Sequence, residues 1–163
     1  MILRRAERED AEALIAAVDT VARERRYFLR SRFEQNVEVE REFLDLAVQR
    51  GNLSLVAEVE GDLVGWLFLV RQQVEFRRHV FEMGMGVLEP YRGIGVGTSL
   101  LKVALVWAAK AGVERVELDV RASNQRAHAF YRDLGFVEEG KRVRGVKDDC
   151  GEYDDLILMA YFP

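Results

Sequence analysis

Glu89-Pro90-Tyr91-Arg92-Gly93-Ile94-Gly95-Val96-Gly97 is the stretch on which the fold turns. It separates an apolar, strand-like run ending at Leu88 from a helix-patterned run, Thr98 to Ala111. Its second half has glycine at alternate positions. Without Cβ atoms, successive backbone N–H groups can converge on an anion at the positive end of the following helix, which suits a pyrophosphate. A Walker loop is excluded because Thr98, and no lysine, follows the last glycine. A dinucleotide-binding fingerprint is imitated by strand, loop, helix and a second strand ending near Asp119. However, Leu88 to Arg92 separates the strand from the first glycine, and Leu100 stands where the last glycine of GxGxxG belongs. The remaining alternative is a glycine turn shaped by packing alone.

Upstream, Leu53–Val59 and Leu63–Val70 are β-branched runs around Glu60-Gly61-Asp62, a hairpin signal. His79–Leu88 reads as a third strand, with Gly84 and Gly86 marking a bulge or a close backbone approach. Ile2–Arg4 reads as a short strand. A helix from Glu9 carries Ala13, Ile15, Ala16, Val18 and Val21 at helical spacing, and a second from Val37 to Gln49 is expected to bury Val39, Phe43, Leu46 and Ala47. Downstream, Leu100, Leu101, Ala104, Trp107, Ala108 and Ala111 share one side of the Thr98–Ala111 helix, and Gly112 stops it. Val116–Val120 is a buried strand, Asn124 opens a helix to Leu134 closed by Gly135, and Phe136–Arg144 and Tyr153–Tyr161 are two final strands. The expectation is an α/β chain of α+β type. It has a mixed, mostly antiparallel sheet of about six or seven strands flanked by about four helices. No linker or repeat divides it, so residues 1–163 read as one domain.

With 49% hydrophobic and 32% charged residues the chain can bury a core and needs no disordered segment. A net charge of −4 gives no global attraction to nucleic acid. Arg23, Arg25, Arg26, Arg30 and Arg32 form a local basic cluster, read as a solvated helix face. The N-terminal MILRRAERED lacks the apolar segment of a signal peptide, and no run is long enough to span a membrane. A cytoplasmic protein without membrane contact is expected. A lone Cys150 and two histidines predict neither an internal disulfide nor a metal site.

Tyr91 to Gly97 resembles the acetyl-CoA loop of the GNAT superfamily, Arg/Gln-x-x-Gly-x-Gly/Ala, through Arg92, Gly95 and Gly97. A second block of that family, an Asn, then Ala-x-x-Phe-Tyr and Gly-Phe, is matched by Asn124, Ala127, Phe130, Tyr131, Gly135 and Phe136. The element order is also similar, while residue-level matching is concentrated from Val87 to Phe136. The resemblance implies the GNAT acyl-CoA N-acyltransferase fold and an enzyme moving acetyl from acetyl-CoA to a primary amine of a small molecule or peptide. Transfer would go by direct attack through a tetrahedral intermediate, without a metal. It further implies that the backbone of Val87 and Leu88 pairs with the acetyl and pantetheine part. The N–H groups of Arg92, Gly93, Ile94, Gly95, Val96, Gly97 and Thr98 would hold the pyrophosphate. A homodimer is implied as well.

Asn124 and Tyr131 are about two helical turns apart and point in a similar direction, so both can face the cofactor. Tyr131 is the candidate general acid for the departing thiolate, since a phenol with pKa near about 10 is protonated at neutral pH. It can also serve only as packing, and Asn124 can serve only as an N-cap. An amine acceptor must lose a proton. Glu82, on the strand before the loop, is the candidate base if burial raises its pKa, with Glu117 and Asp119 as alternatives and a plain salt bridge as the competing role. His79 and His128 receive no functional role, with His128 read as pointing to solvent, Trp66, Phe68 and Trp107 are read as core, and Asp154 and Asp155 receive no chemical role. A different class stays open, a catalytically silent acyl-CoA-binding module, and a nicotinamide oxidoreductase is a more distant one. Retention of Asn124 and Tyr131 favours the enzyme. Thr20 to Asn52, the region that shapes the acceptor site in this family, carries no motif that names a substrate.

Overall fold

The computed structural model describes all 163 residues, Met1–Pro163. In chain order the strands and helices are β1 (Ile2–Arg5), α1 (Ala11–Arg23), α2 (Val37–Gln49), β2 (Leu53–Val59), β3 (Asp62–Arg71), β4 (Val80–Val87), α3 (Val96–Lys110), β5 (Arg115–Arg121), α4 (Gln125–Asp133), β6 (Val137–Lys147) and β7 (Tyr153–Tyr161). One seven-stranded sheet runs in the order β1-β2-β3-β4-β5-β7-β6. Every neighbouring pair is antiparallel except β4 and β5, which are parallel. The mixed, mostly antiparallel sheet read from the sequence is the one observed.

Local chemistry explains the hairpin. Val59 pairs with Asp62, leaving Glu60 and Gly61 as a two-residue turn with φ of 56° and 92°. Positive φ at both central positions gives the turn the twist that antiparallel strands need.

Both faces of the sheet centre are covered, so β3 is buried continuously from Val64 to Leu67. One face packs Leu55, Leu67 and Leu69 against Leu100, Leu101, Ala104 and Ala108 of α3. The other packs Val56 and Trp66 against Leu14, Ala17 and Val21 of α1 and Leu44 of α2. Successive side chains of a strand point to opposite faces, so Leu55 and Val56 enter different cores.

The two N-terminal helices are rotated from the expected faces. In α1 the buried residues are Ala11, Leu14, Ala17, Val21 and Ala22, whereas Ala13 and Ala16 are exposed. Seven alanines and valines in thirteen positions make several stripes look apolar, and the bulk of Leu14 selects one. In α2, Glu40, Leu44 and Ala47 are inward and Val39 is 50% exposed. The basic cluster is solvated but is not a helix face. α1 ends at Arg23, and Arg25, with φ of 59°, begins an irregular segment that carries Arg26, Arg30 and Arg32.

The sheet holds an internal gap. β4 and β5 pair only at Val80, Phe81 and Glu82 with Arg115, Val116 and Glu117, and beyond these residues the strands separate. β3 continues to hold β4 as far as Val87, and β7 holds β5 as far as Arg121. The two β4 glycines differ in reason. A Cβ on Gly86 would sit within 2.5 Å of Trp66 Cη2, whereas one on Gly84 would meet nothing within 4 Å. Gly86→Ala should therefore lower stability by about 1–3 kcal/mol through overpacking. Gly84→Ala should change it by less than about 0.5 kcal/mol. Urea unfolding of both variants decides the matter, and equal losses would refute the steric distinction.

Candidate functional site

The separation of β4 from β5 opens a cavity of about 490 Å³. Its walls include Met83 to Val87 of β4, Leu118 to Val120 of β5, the glycine loop, and one side of α4. Hydrogen-bond parity fixes which backbone groups face it. Leu88 N–H donates to Val64, and Gln72 N–H donates to Val80, so even-numbered residues of β4 turn their backbone groups toward β3. Met83, Met85 and Val87 consequently turn theirs toward the gap. Of the two residues expected to present backbone to a cofactor, Val87 does so and Leu88 does not. Val87 C=O already accepts a hydrogen bond from Arg92 Nε at 2.7 Å, which leaves its N–H and that of Met85 aimed into the cavity.

The loop builds an anion site. Gly95, with φ of 94°, is the N-cap residue of α3, so the helix starts at Val96, two residues before the expected Thr98. Only glycine adopts that conformation without strain. The first helical bond is Ser99 N–H to Gly95 C=O at 2.9 Å, and no protein acceptor meets the N–H groups from Gly93 to Thr98. Six consecutive free donors at a helix N-terminus form an anion cradle. Gly93, Gly95, Gly97 and Thr98 line the cavity, whereas the Val96 side chain is buried in the core and that of Ile94 is exposed. Gly97 is there for space, because a Cβ would lie 3.3 Å from Met85 Cε.

Arg92 lines the cavity but its side chain is occupied in holding the loop. Its guanidinium donates to Glu24 at 2.8 Å, with a second bond to the same carboxylate, and lies 4.9 Å from the Tyr27 ring centre.

On α4, Asn124 Oδ1 accepts from Ala127 N–H at 3.1 Å, so Asn124 caps the helix and lines the cavity at once. Its approach is set from behind by Asp154, which takes Arg121 Nε at 3.0 Å and Ser123 Oγ at 2.6 Å. Tyr131 also lines the cavity, with Phe130 and Phe136 ring centres 5.2 and 5.6 Å away. Burial pushes its phenol pKa up, with no hydrogen bond contributing, so it remains a protonated donor at neutral pH.

The carboxylates are distributed differently from expectation. Glu82 is exposed, sits at the closed end of the gap opposite Glu117, accepts from Gln72 Nε2 at 3.2 Å, and is absent from the cavity wall. The burial on which its role as base depended is missing. Glu117 is bound by Arg115 at 3.1 Å and by Arg77. Asp119, held by Arg142, is the one of the three on the wall. His128 is not free in solvent but lies 3.1 Å from Glu138.

Sequence reasoning missed the contribution of the α1 end, where Val21, Tyr27 and Phe28 complete the wall, and of Arg126 on α4. No motif marks the first three, although Tyr27-Phe28 is the only adjacent aromatic pair before Asn52. Glu40, which lines an adjoining cavity, was legible only as an acid on a helical stripe whose orientation was misjudged.

Comparison with known proteins agrees with this geometry. Residues 18–136 match the model of the acetyltransferase (GNAT) family. The chain is 34% identical over 116 residues to an N-alpha-acetyltransferase of Sulfurisphaera tokodaii, covering 64% of this chain and 66% of that one. It is also 34% identical over 116 residues to an L-amino acid N-acetyltransferase of Escherichia coli, covering 71% of each. Among solved structures, an acetyltransferase of the GNAT family from Streptococcus pneumoniae superposes with a TM-score of 0.94 at 28% identity, over 99% of both chains.

The capping geometry gives a stability test. Asn124→Ala should cost about 1 kcal/mol by leaving the first-turn N–H of Ala127 without its acceptor. Denaturant titration checks this, and no loss would mean that the hydrogen bond contributes nothing to the fold.

Proposed function

The chain belongs to the GNAT acetyltransferase family, and on that premise we propose that it transfers the acetyl group of acetyl-CoA to a primary amine of a small molecule or peptide. The observation that carries the reading is that the six free N–H groups of the loop, the gap-facing N–H groups of β4, and Tyr131 all border one cavity. Acetyl-CoA would supply an acetyl group activated as a thioester. The N–H groups of Gly93 to Thr98 bind its diphosphate, with Arg92 and Asn124 keeping the loop and α4 in place. Met85 and Val87 N–H groups stabilise negative charge building on the acetyl oxygen. Asp119, directly or through water, takes the proton that the amine must lose, and Tyr131 protonates the sulfur that leaves. We further propose a cytoplasmic homodimer. In its support, no helix is long and apolar enough to cross a membrane, and β6 is an open sheet edge carrying exposed Val137 and Val143.

Calorimetric titration with acetyl-CoA, followed by measurement of CoA release with a panel of amines, tests the reading. No acetyl-CoA binding by the folded protein would overturn it, and binding without turnover of any amine would assign a silent binding module. Tyr131→Phe should lower kcat by about 10²–10⁴-fold while leaving acetyl-CoA affinity unchanged. Full retained kcat would reduce Tyr131 to packing.

The pH dependence has a definite sign. An acid works while protonated, and the raised pKa of Tyr131 extends that range upward. The rate should rise with pH as the amine deprotonates and show no alkaline fall below about pH 10, the ordinary phenol value. A pH–rate profile with a descending limb at neutral pH, absent from Tyr131→Phe, would contradict this.

A further inference from the structure

Glu40 is the one buried charged residue of the protein, with 6% of its surface exposed. It lies on the inward stripe of α2 with Leu44 and Ala47. No hydrogen bond or opposite charge acts on its carboxylate, and desolvation alone raises its pKa. Ser54 Oγ is the only side-chain polar atom buried without a hydrogen bond, so the carboxylate oxygens of Glu40, which have no partner within the fold, reach solvent through the cavity that they line, where a cation can meet them.

The surroundings say what kind of partner. Glu40 lines a second cavity of about 570 Å³, whose wall also includes Phe33, Phe43, Trp66 and Phe68. Phe43 meets Phe68 edge-on with ring centres 5.6 Å apart, and Trp66 meets Phe28 at 6.2 Å. Aromatic faces carry negative potential and offer a carboxylate no donor, yet they attract organic cations, as the carboxylate does. The other charged wall residues, Glu42 and Arg50, are exposed. With two acids, Glu40 and Glu42, against one base, Arg50, the wall favours an ammonium over an anion. This cavity also meets the reaction cavity, since Phe28, Gly84 and Met85 line both. Gly84, with no side chain, leaves the passage between them open.

We propose that the acceptor is an apolar-bodied diamine, whose distal ammonium sits on Glu40 among the aromatic rings while its other amine is presented past Gly84 and Met85 to the reaction cavity. This rests on the acetyltransferase reading above for the fate of the second amine, but not for binding. A cavity of this volume suits a small molecule rather than a folded partner. Glu40 acts here by positioning, since it does not touch the reacting atoms.

The test compares 1,6-diaminohexane, hexylamine and 6-aminohexanoate, which differ only in the distal group. Binding is measured by calorimetry on protein saturated with CoA, and turnover by CoA release from acetyl-CoA. The diamine should bind and react about tenfold or more better than hexylamine, the scale of one charge-assisted hydrogen bond, and the amino acid should be worst. Glu40→Gln should raise the diamine KM by about the same factor, leave kcat intact, and leave hexylamine unaffected. That variant removes an unpaired, partly desolvated charge without changing shape, so its thermal midpoint should equal or exceed that of the wild type. Equal binding of diamine and hexylamine, or an equal effect of Glu40→Gln on both, overturns the proposal. Diamine binding that depends on Glu40 without turnover would uphold the pocket and count against acetyl transfer, so the two readings fail separately.

Discussion

Two parallel strands that pair for three residues and then diverge impose the central constraint on this protein. Backbone groups removed from a sheet must find water or a ligand, because leaving them unpaired in the interior is costly. The cost is bearable here because each strand keeps its outer neighbour, β3 for β4 and β7 for β5, so the sheet remains continuous on either side of the gap. The cavity is thus a property of hydrogen-bond topology more than of side-chain shape. The glycine loop lies over its open end because β4 leads directly into it.

Arg92 joins this opening to the rest of the molecule. Bound at once to Val87, Glu24 and the face of Tyr27, it connects β4 and the loop to the end of α1. Side-chain relative exposures of 17% for Arg92 and 24% for Glu24 shield the pair from solvent better than most ion pairs of this protein are shielded. Bidentate geometry adds direction to the attraction. The segment that shapes the second cavity is consequently anchored to the segment that shapes the first.

Legibility in the sequence followed the locality of the physics. Turn glycines, β-branched runs and the period of α3 depend on neighbours along the chain, so the order of elements along the chain and the span Val37–Gln49 of α2 were readable directly. The loop was readable because its conformation is demanded by residues within it, Gly95 above all. What failed depended on the third dimension. The inward faces of α1 and α2 are chosen by the sheet they cover, and rotation of α2 brought Glu40 inside in place of Val39. The linear pattern puts Glu82 ahead of Asp119, and only the point of strand divergence shows that Asp119 is the one on the cavity wall. The reversal of Leu88 has the same origin, since its N–H is claimed by Val64 across the hairpin.

The alternation that assigns odd residues of β4 to the gap also makes the strand intolerant of changes in its length. Substitution at Met83 or Met85 alters the lining and leaves the backbone donors where they are. Loss or gain of a single residue between Val80 and Val87 would exchange the two sets, turning the donors of Met85 and Val87 toward β3 and moving Trp66's neighbour Gly86 out of register. Homologous chains should therefore vary freely in composition along this strand while keeping its residue count, and length variation should collect in the loops at its ends.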